Sequence, residues 1–224
     1  MMNRHDATLP DAVRLKAAVL GAAGHQWVTG LSDLVADLAY AWDLSVGATL
    51  DGGTEAYVAE ARTADGQDAI LKVHLPELDA YMRPGHDSCA DEVNVLLVAA
   101  GQGYVRVLRH DVARRAQLQE RLGRPLCALG LPTKVQLEII CATLLRAWVP
   151  IPPDAGFQSG AEKARRLTEF ISQTWTALNR PCSEQTIVQA LSFVESRARA
   201  FDPTTAVLVH GNAHNVPVKL KSAE

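Results

Sequence analysis

The spacing of hydrophobic residues predicts a helix early in the chain and a strand directly after it. Between residues 26 and 43, large apolar side chains recur every three or four positions, which is the repeat of an amphipathic helix. From residue 44 to residue 48 the period changes to two, as expected for a strand. The apolar positions of the helix are Trp27, Leu31, Leu34, Leu38 and Trp42.

Two further strands are predicted at residues 57–61 and 69–73. Asp65 and Gly66 lie between them and form a dipeptide that favours a tight hairpin turn. Before this pair of strands, Asp51 is followed by two glycines, which indicates another turn. The three strands together predict a small antiparallel sheet.

A second helix and two more strands complete the first half of the pattern. After a loop at residues 76–85, Ser88 is a suitable N-cap for a helix that ends near Gly101. Short apolar runs at residues 104–108 and 116–122 are predicted as strands. The first half is therefore expected to consist of a helix, three strands, a helix and two strands.

The second half is predicted to be helical. Apolar spacing indicates a helix that ends before Pro150, a second over residues 160–179 and a third capped by Ser183. A short apolar strand at residues 206–209 then leads into a polar run that contains two histidines. A sheet-bearing half followed by a helical half belongs to the α+β class.

Composition excludes several classes of protein. Of the 224 residues, 48% are hydrophobic and 21% are charged, so a sizeable core is expected. A formal net charge of -3 argues against a nucleic-acid binder held by basic charge. We expect no membrane segment, because no apolar run approaches about 18 residues. We expect no secretory signal, because residues 1–16 lack a continuous apolar core and a small-residue cleavage site. Four cysteines without metal-ligand spacing favour reduced thiols and a cytoplasmic protein.

Lys72 is the first candidate for chemistry, because it stands inside the apolar strand at residues 69–73. An unpaired charge is costly to bury, so the side chain needs a partner. One interpretation is a kinase-type lysine that contacts nucleotide phosphates. The other is a lysine that extends to solvent from an edge strand.

Glu92 and the glycine pair at residues 52 and 53 each allow two interpretations. Glu92 follows Lys72 by 20 residues and is either its partner or a carboxylate favoured by the helix dipole. Gly52 and Gly53 either let backbone N–H groups approach phosphate oxygens, or only form a hairpin turn.

The strongest motif follows the strand at residues 206–209. The order His210, Gly211, Asn212, Ala213, His214, Asn215 resembles the catalytic loop of aminoglycoside phosphotransferases, which reads His-Gly-Asp-x-His. With the features above, in the same order, the chain resembles the streptomycin and hydroxyurea kinase branch of that family. The resemblance extends over residues 25–214 and includes the runs 51–53, 69–73, 105–108 and 118–122.

This resemblance implies a bilobal, protein-kinase-like α+β fold. Residues 1–122 would form a nucleotide-binding lobe with an antiparallel sheet. Residues 123–224 would form a partial, truncated helical lobe that ends just after the catalytic loop. The implied reaction transfers the γ-phosphate of ATP, with Mg²⁺, to a hydroxyl of a cationic small molecule such as an aminoglycoside. Neither nucleic acid nor membrane is an expected partner.

The resemblance also implies a role for individual residues. Lys72 would hold phosphates, Glu92 would orient Lys72, and backbone groups from Glu120 to Leu122 would meet the adenine edge. The turn that contains Gly52, Gly53 and Thr54 would cover the nucleotide. In the catalytic loop, the implied residues are His210, Asn212 and His214, with Asn215 as a metal ligand.

Two departures from the family pattern predict impaired catalysis. Asn212 stands where the family has its catalytic aspartate, and an amide is not a base at neutral pH. The family's metal-binding aspartate would fall near or beyond residue 224, and residues 216–224 contain none. Open alternatives are an inactive nucleotide-binding relative, a truncated product without function, and an unrelated helical interaction protein.

Overall fold

The computed structural model describes residues 9–51, 53–76, 87–152 and 155–209. The described residues up to Trp148, together with Val209, form one compact unit. Val149–Leu208 form a second. The boundary between lobes expected at residue 122 stays a prediction.

The first unit is built on a five-stranded sheet in which every neighbouring pair of strands is antiparallel. The strand order across the sheet is β1-β2-β3-β5-β4, so β3 lies in its centre. This architecture confirms the predicted α+β class and the N-terminal antiparallel sheet. The strands are β1 (Leu44–Thr49), β2 (Ala56–Thr63), β3 (Asp68–His74), β4 (Val107–Asp111) and β5 (Ala116–Glu120).

Helices precede and follow the strands in the sequence, and they make up most of the second unit. Within the described ranges, every helix is too short or too polar to span a lipid bilayer. In the first unit they are α1 (Asp11–Val19), α2 (Gly21–Trp42), α3 (Ser88–Ala99) and α4 (Thr133–Ala147), with a short 3₁₀ turn at Leu126–Leu129. The second unit contains α5 (Gly160–Ala177) and α6 (Glu184–Arg199), which pack against each other.

Local turn chemistry sets the boundaries that matter for the sheet. Asp43 ends α2 in the left-handed conformation, with a φ of 53°, and β1 begins at the next residue. The β2–β3 hairpin turns through Gly66, whose φ of 88° suits glycine. That hairpin fixes the register, which pairs Ala59 with Leu71 and Val58 with Lys72.

The hydrophobic core lies between one face of the sheet and α2. On the sheet, Ala59, Leu71 and Leu118 form a row across three strands and are fully buried. From α2, the apolar stripe predicted by the sequence supplies the other half of this core. Its buried members are Leu31, Val35, Leu38 and Trp42.

The structure differs from the prediction at the N-cap of α3, at the start of β4 and at the strand expected before residue 210. The N-cap of α3 is Asp87 and not Ser88, because the Asp87 carboxylate accepts hydrogen bonds from the N–H groups of Cys89 (2.9 Å) and Ala90 (3.1 Å). β4 begins at Val107 and not at residue 104. The strand expected at residues 206–209 is reduced to a single bridge between Val207 and Pro150.

Candidate functional site

Lys72 and Glu92 form an ion pair on the face of the sheet opposite to α2. Lys72 Nζ lies 2.6 Å from Glu92 Oε1 and 2.7 Å from Oε2, so the ammonium meets both carboxylate oxygens. The side chains are 22% and 32% exposed. The pairing expected from the spacing of 20 residues is therefore confirmed as a structural feature.

Strand alternation places Lys72 on this face. Its neighbours Leu71 and Val73 are fully buried towards α2, so the side chain between them points the other way. Because β3 is hydrogen-bonded to β2 on one side and β5 on the other, Lys72 is not on an edge strand. The interpretation of Lys72 as an edge-strand lysine is wrong.

Two glutamines of β5 surround the Glu92 carboxylate. Gln117 Nε2 donates to Glu92 Oε1 at 3.0 Å, and Gln119 Nε2 lies 3.5 Å from the same oxygen. Burial opposes ionisation of Glu92, but the Lys72 ammonium and the Gln117 hydrogen bond outweigh it. As a result, the pKa of Glu92 lies below its ordinary value, and the carboxylate is ionised at neutral pH.

His74 is the third polar residue that β3 contributes to this region. Its Nε2 lies 2.9 Å from Gln117 Nε2 and 3.6 Å from Glu92 Oε2. Burial, followed by the positive charge of Lys72, lowers the pKa of His74 to about 4. At pH 7 the imidazole is therefore neutral and accepts the Gln117 hydrogen bond. Its contact with Glu92 is not an ion pair under those conditions.

Gln117 links these groups from a fully buried position. Its amide nitrogen donates both to Glu92 and to His74, which fixes the orientation of the amide, because the reverse orientation would set its oxygen against a carboxylate. Among the described residues, Gln117 Oε1 has no hydrogen-bond partner. An unsatisfied buried oxygen is costly, and the two hydrogen bonds of the amide nitrogen oppose that cost.

The predicted nucleotide-covering turn is only partly described. Gly52 lies outside the described residues, whereas Gly53 and the exposed Thr54 precede β2. A Cβ added at Gly53 would lie 3.4 Å from the Ala56 carbonyl oxygen and 3.5 Å from Val58 Cγ2, which are ordinary contacts. Local packing therefore does not require glycine at position 53, and the role of this turn stays a prediction.

Glu120 and Leu122 lie at the end of β5. The buried Glu120 carboxylate accepts from the Arg106 backbone N–H (2.9 Å) and from Arg106 Nε (3.0 Å). Glu120 also donates its own N–H to the Arg106 carbonyl at 2.9 Å. These bonds fix the end of β5 to the segment before β4, and Leu122 follows in a half-buried position. Contact with an adenine edge stays a prediction.

The predicted catalytic loop lies outside the described residues, with His210, Asn212, His214 and Asn215. Within the described ranges, no group of three or more His, Cys, Asp or Glu side chains is arranged to hold a metal ion. The Mg²⁺ site expected at Asn215 therefore stays a prediction, and the described residues supply only the Lys72–Glu92 pair and its surroundings.

A cavity elsewhere in the described residues has a volume of about 380 Å³. It lies at the β2–β3 hairpin, beside the end of α2, and is lined in part by Trp42, Asp65 and Arg109. Neither Lys72 nor Glu92 contributes to it. Charge chemistry, rather than the size of a cavity, therefore identifies the candidate site.

Sequence reasoning missed His74 and Gln117. The sequence did contain a signal for His74, because strand alternation places residues 72 and 74 of β3 on the same face of the sheet. Gln117 is a polar residue between Ala116 and Leu118, both buried. The pairing of Gln117 with Lys72 depends on the β3–β5 register, which joins strands that are distant in the sequence.

Comparison with known proteins identifies the relatives of this chain. Streptomycin 6-kinase of Streptomyces glaucescens is 25% identical over 169 residues, and that of Streptomyces griseus is 26% identical over 165. Hydroxyurea phosphotransferase of Kitasatospora aureofaciens is 35% identical over 149 residues. These similarities support an aminoglycoside phosphotransferase-like family. No family model matches it.

These similarities cover most of this chain but a smaller part of each relative. The matches include 75%, 72% and 66% of this chain, and 52%, 50% and 41% of the respective relatives. The chain thus spans about half the length of the curated relatives it matches.

Solved kinase structures are more distant. A choline kinase from Cryptosporidium parvum shares 11% identity at a TM-score of 0.43, covering 68% of this chain and 43% of its own. The Rio2 kinase from Chaetomium thermophilum shares 14% identity at a TM-score of 0.32, covering 51% of this chain and 40% of its own. At such TM-scores neither similarity defines the fold. The α+β class rests on the five-stranded antiparallel sheet and the helices of the described residues.

Proposed function

We propose that this chain binds ATP through Lys72 and belongs functionally to the ATP-dependent small-molecule O-phosphotransferases. The observation that carries the proposal is the Lys72–Glu92 ion pair between the central strand and α3. A lysine that a helix glutamate orients towards nucleotide phosphates is a recurring part of kinase sites. Similarity to hydroxyurea phosphotransferase and to streptomycin 6-kinases supports the same assignment.

The geometry of the pair suits a phosphate-binding role. An ammonium group has three N–H donors, and contacts with the two Glu92 oxygens leave a third donor for a phosphate oxygen. Both side chains keep partial contact with solvent, so an anionic ligand can approach Lys72 without opening the core. Glu92 holds the lysine in place and offsets part of its charge before the ligand binds.

The proposed reaction transfers the γ-phosphoryl group of ATP, as its Mg²⁺ complex, to a hydroxyl of a cationic acceptor such as an aminoglycoside. Asn212, where the family has aspartate, is able to position that hydroxyl but not to take its proton. Loss of a general base typically lowers the rate by a factor on the order of 10² to 10⁴. We therefore propose a phosphotransferase with impaired turnover.

The second candidate function is nucleotide binding without transfer. Asn212 is the observation that favours it, because binding through Lys72 and Glu92 does not need a base in the catalytic loop. The two candidates share the nucleotide site and differ only in whether a phosphorylated product forms.

Calorimetric titration with ATP, with and without Mg²⁺, tests the shared part. We expect micromolar binding that Lys72→Met weakens at least about tenfold, because a charged contact with phosphate is lost. Lys134→Met is the matched control, since Lys134 forms an exposed pair with Glu138 within α4. No binding by a folded chain, or equal weakening by both variants, contradicts the proposal.

Product formation separates the two candidates. The chain is incubated with ATP, Mg²⁺ and streptomycin, and phosphorylated streptomycin is measured by mass spectrometry for the wild type and for Asn212→Asp. Slow turnover that increases with Asn212→Asp supports the impaired phosphotransferase. ATP binding without product from either protein supports the nucleotide-binding relative.

A further inference from the structure

Arg115, in the turn between β4 and β5, joins three segments of the first unit. Its Nε donates to the Leu75 carbonyl at 3.0 Å, just after β3. Its Nη1 lies 3.1 Å from Asp87 Oδ1, and its Nη2 lies 3.4 Å from Ser88 Oγ, both at the start of α3. The Arg115 carbonyl accepts the His74 N–H at 2.8 Å, which extends the sheet ladder at the end of β3.

We propose that Arg115 is a positioning residue that holds α3 against β3 and thereby keeps Glu92 on Lys72. Leu75 follows Lys72 by three residues, and Asp87 precedes Glu92 by five. Arg115 thus binds both segments that carry the ion pair, at points near the pair. The inference rests on the proposed function only where it concerns nucleotide binding, because the ion pair itself is a structural feature.

Helix geometry explains why this position matters. Each residue of an α-helix advances about 1.5 Å and turns by about 100°. A slip of α3 by one residue would therefore direct Glu92 away from the sheet. Asp87 is the N-cap of α3, and its Oδ1 accepts both the capping N–H groups and Arg115, so the helix end and the arginine share one anchor.

The chemistry of arginine fits this task better than that of lysine. Three different nitrogens of one planar group reach three acceptors on two segments, whereas an ammonium would offer a single nitrogen. The backbone of Arg115 has a φ of 53°, in the left-handed region where arginine is uncommon. Glycine or asparagine would suit that backbone better, so the side-chain contacts, and not the backbone, favour arginine here.

Neighbouring Arg114 provides a matched control. It lies in the same turn and donates to Asp111 from its backbone N–H (2.9 Å) and from Nε (2.7 Å). Asp111 ends β4, so this pair stays within the β4–β5 hairpin and does not reach α3. Changing Arg114 removes an equal charge from the same hairpin without touching the link to Asp87.

The test measures how often the ion pair opens. Under native conditions, Lys72 is acetylated with an N-hydroxysuccinimide ester, and its rate is followed by peptide mass spectrometry. We compare Arg115→Asn, which suits the left-handed backbone, with Arg114→Asn. We expect Lys72 to react about tenfold faster in Arg115→Asn, because α3 separates from β3 more often, and at the wild-type rate in Arg114→Asn.

A coupling experiment excludes a merely structural effect. ATP affinity is measured for Arg115→Asn alone and in combination with Glu92→Gln. If Arg115 acts through Glu92, Arg115→Asn weakens binding about tenfold in the wild-type background and has no further effect in Glu92→Gln. Equal weakening in both backgrounds, or an unchanged labelling rate in a folded Arg115→Asn chain, overturns the proposal.

The proposal stays testable if Arg115→Asn does not fold or if the chain does not bind ATP. If Arg115→Asn does not fold, Arg115→Lys replaces it. This variant keeps one contact of several, so we expect about threefold faster labelling, and the wild-type rate would overturn the proposal. If the wild-type chain does not bind ATP, the proposed function fails, while the labelling rates still decide whether Arg115 positions α3.

Discussion

On one face of the sheet, Leu71 and Leu118 are fully buried against α2, whereas on the other face Lys72 and Gln117 carry a charge and an amide. Lys72 follows Leu71 in β3, and Gln117 precedes Leu118 in β5. Because successive residues of a strand point to opposite faces, adjacent positions serve the core and the candidate site. A register shift of one residue would exchange the two sets.

The two faces also differ in what stabilises them. The apolar face depends on burial, at roughly 25 cal/mol for each Å² of apolar surface removed from water, and burial of this kind varies little with pH. The polar face depends on an ionised Glu92 and a neutral His74, so its contribution changes as these groups titrate.

Leu71→Ala is expected to have the largest effect on stability. The side chain is fully buried in the core, and its truncation should lower the free energy of unfolding by about 3 kcal/mol. Ile70→Ala, in the half-buried neighbouring position on the other face, is the matched control and should cost less than half as much. Urea unfolding followed by circular dichroism measures both. Equal losses would show that the faces do not differ as described.

His74 should make stability depend on pH between its ordinary pKa of 6.5 and its folded pKa of about 4. In that window the unfolded chain binds a proton that the folded chain does not, so stability falls as pH falls. The loss should be on the order of 2 to 3 kcal/mol across the window. His74→Gln should remove this dependence, whereas His110→Gln, at an exposed position, should keep it. Urea unfolding at a series of pH values measures it.

Glu92→Gln should cost about 1 kcal/mol at pH 7, because the Lys72 ammonium loses its charged partner. The folded pKa of Glu92 lies below its ordinary value of 4.5. Its contribution is therefore present above pH 4.5 and is lost as the pH falls through the folded pKa. Glu138→Gln breaks an exposed pair within α4 and should change stability by less than about 0.5 kcal/mol. Equal costs at pH 7 would contradict a special role for the part-buried pair.

Trp27→Phe should have the smallest effect. Trp27 packs against the core, but its buried indole N–H has no hydrogen-bond partner among the described residues. Phenylalanine removes the unsatisfied donor along with some apolar surface, so the two effects should nearly cancel, within about 1 kcal/mol. A much larger loss in urea unfolding would mean that this side chain has an essential polar contact.

Local sequence patterns were sufficient to predict most of the elements, and the exceptions have physical reasons. The apolar stripe of α2 and the Asp65-Gly66 turn were predicted correctly, because each signal depends only on residues that are near one another in the sequence. α1 was missed because its buried residues, Val13 and Ala17, accompany the exposed Leu15 and Val19, which blurs the amphipathic pattern. The α3 cap was assigned to Ser88 because Asp87 and Ser88 are both good capping residues, and only geometry distinguishes them.

The sequence by itself determined the alternation of β3, and with it the separation of Lys72 from the core residues on either side. It also indicated Glu92 as a partner, because a strand, a loop and a helical turn fit a spacing of 20 residues. Only the tertiary structure decided which groups surround that pair. Gln117 contacts Glu92, and Arg115 contacts the segments that carry the pair. No local pattern encodes these contacts, because they join segments far apart in the chain.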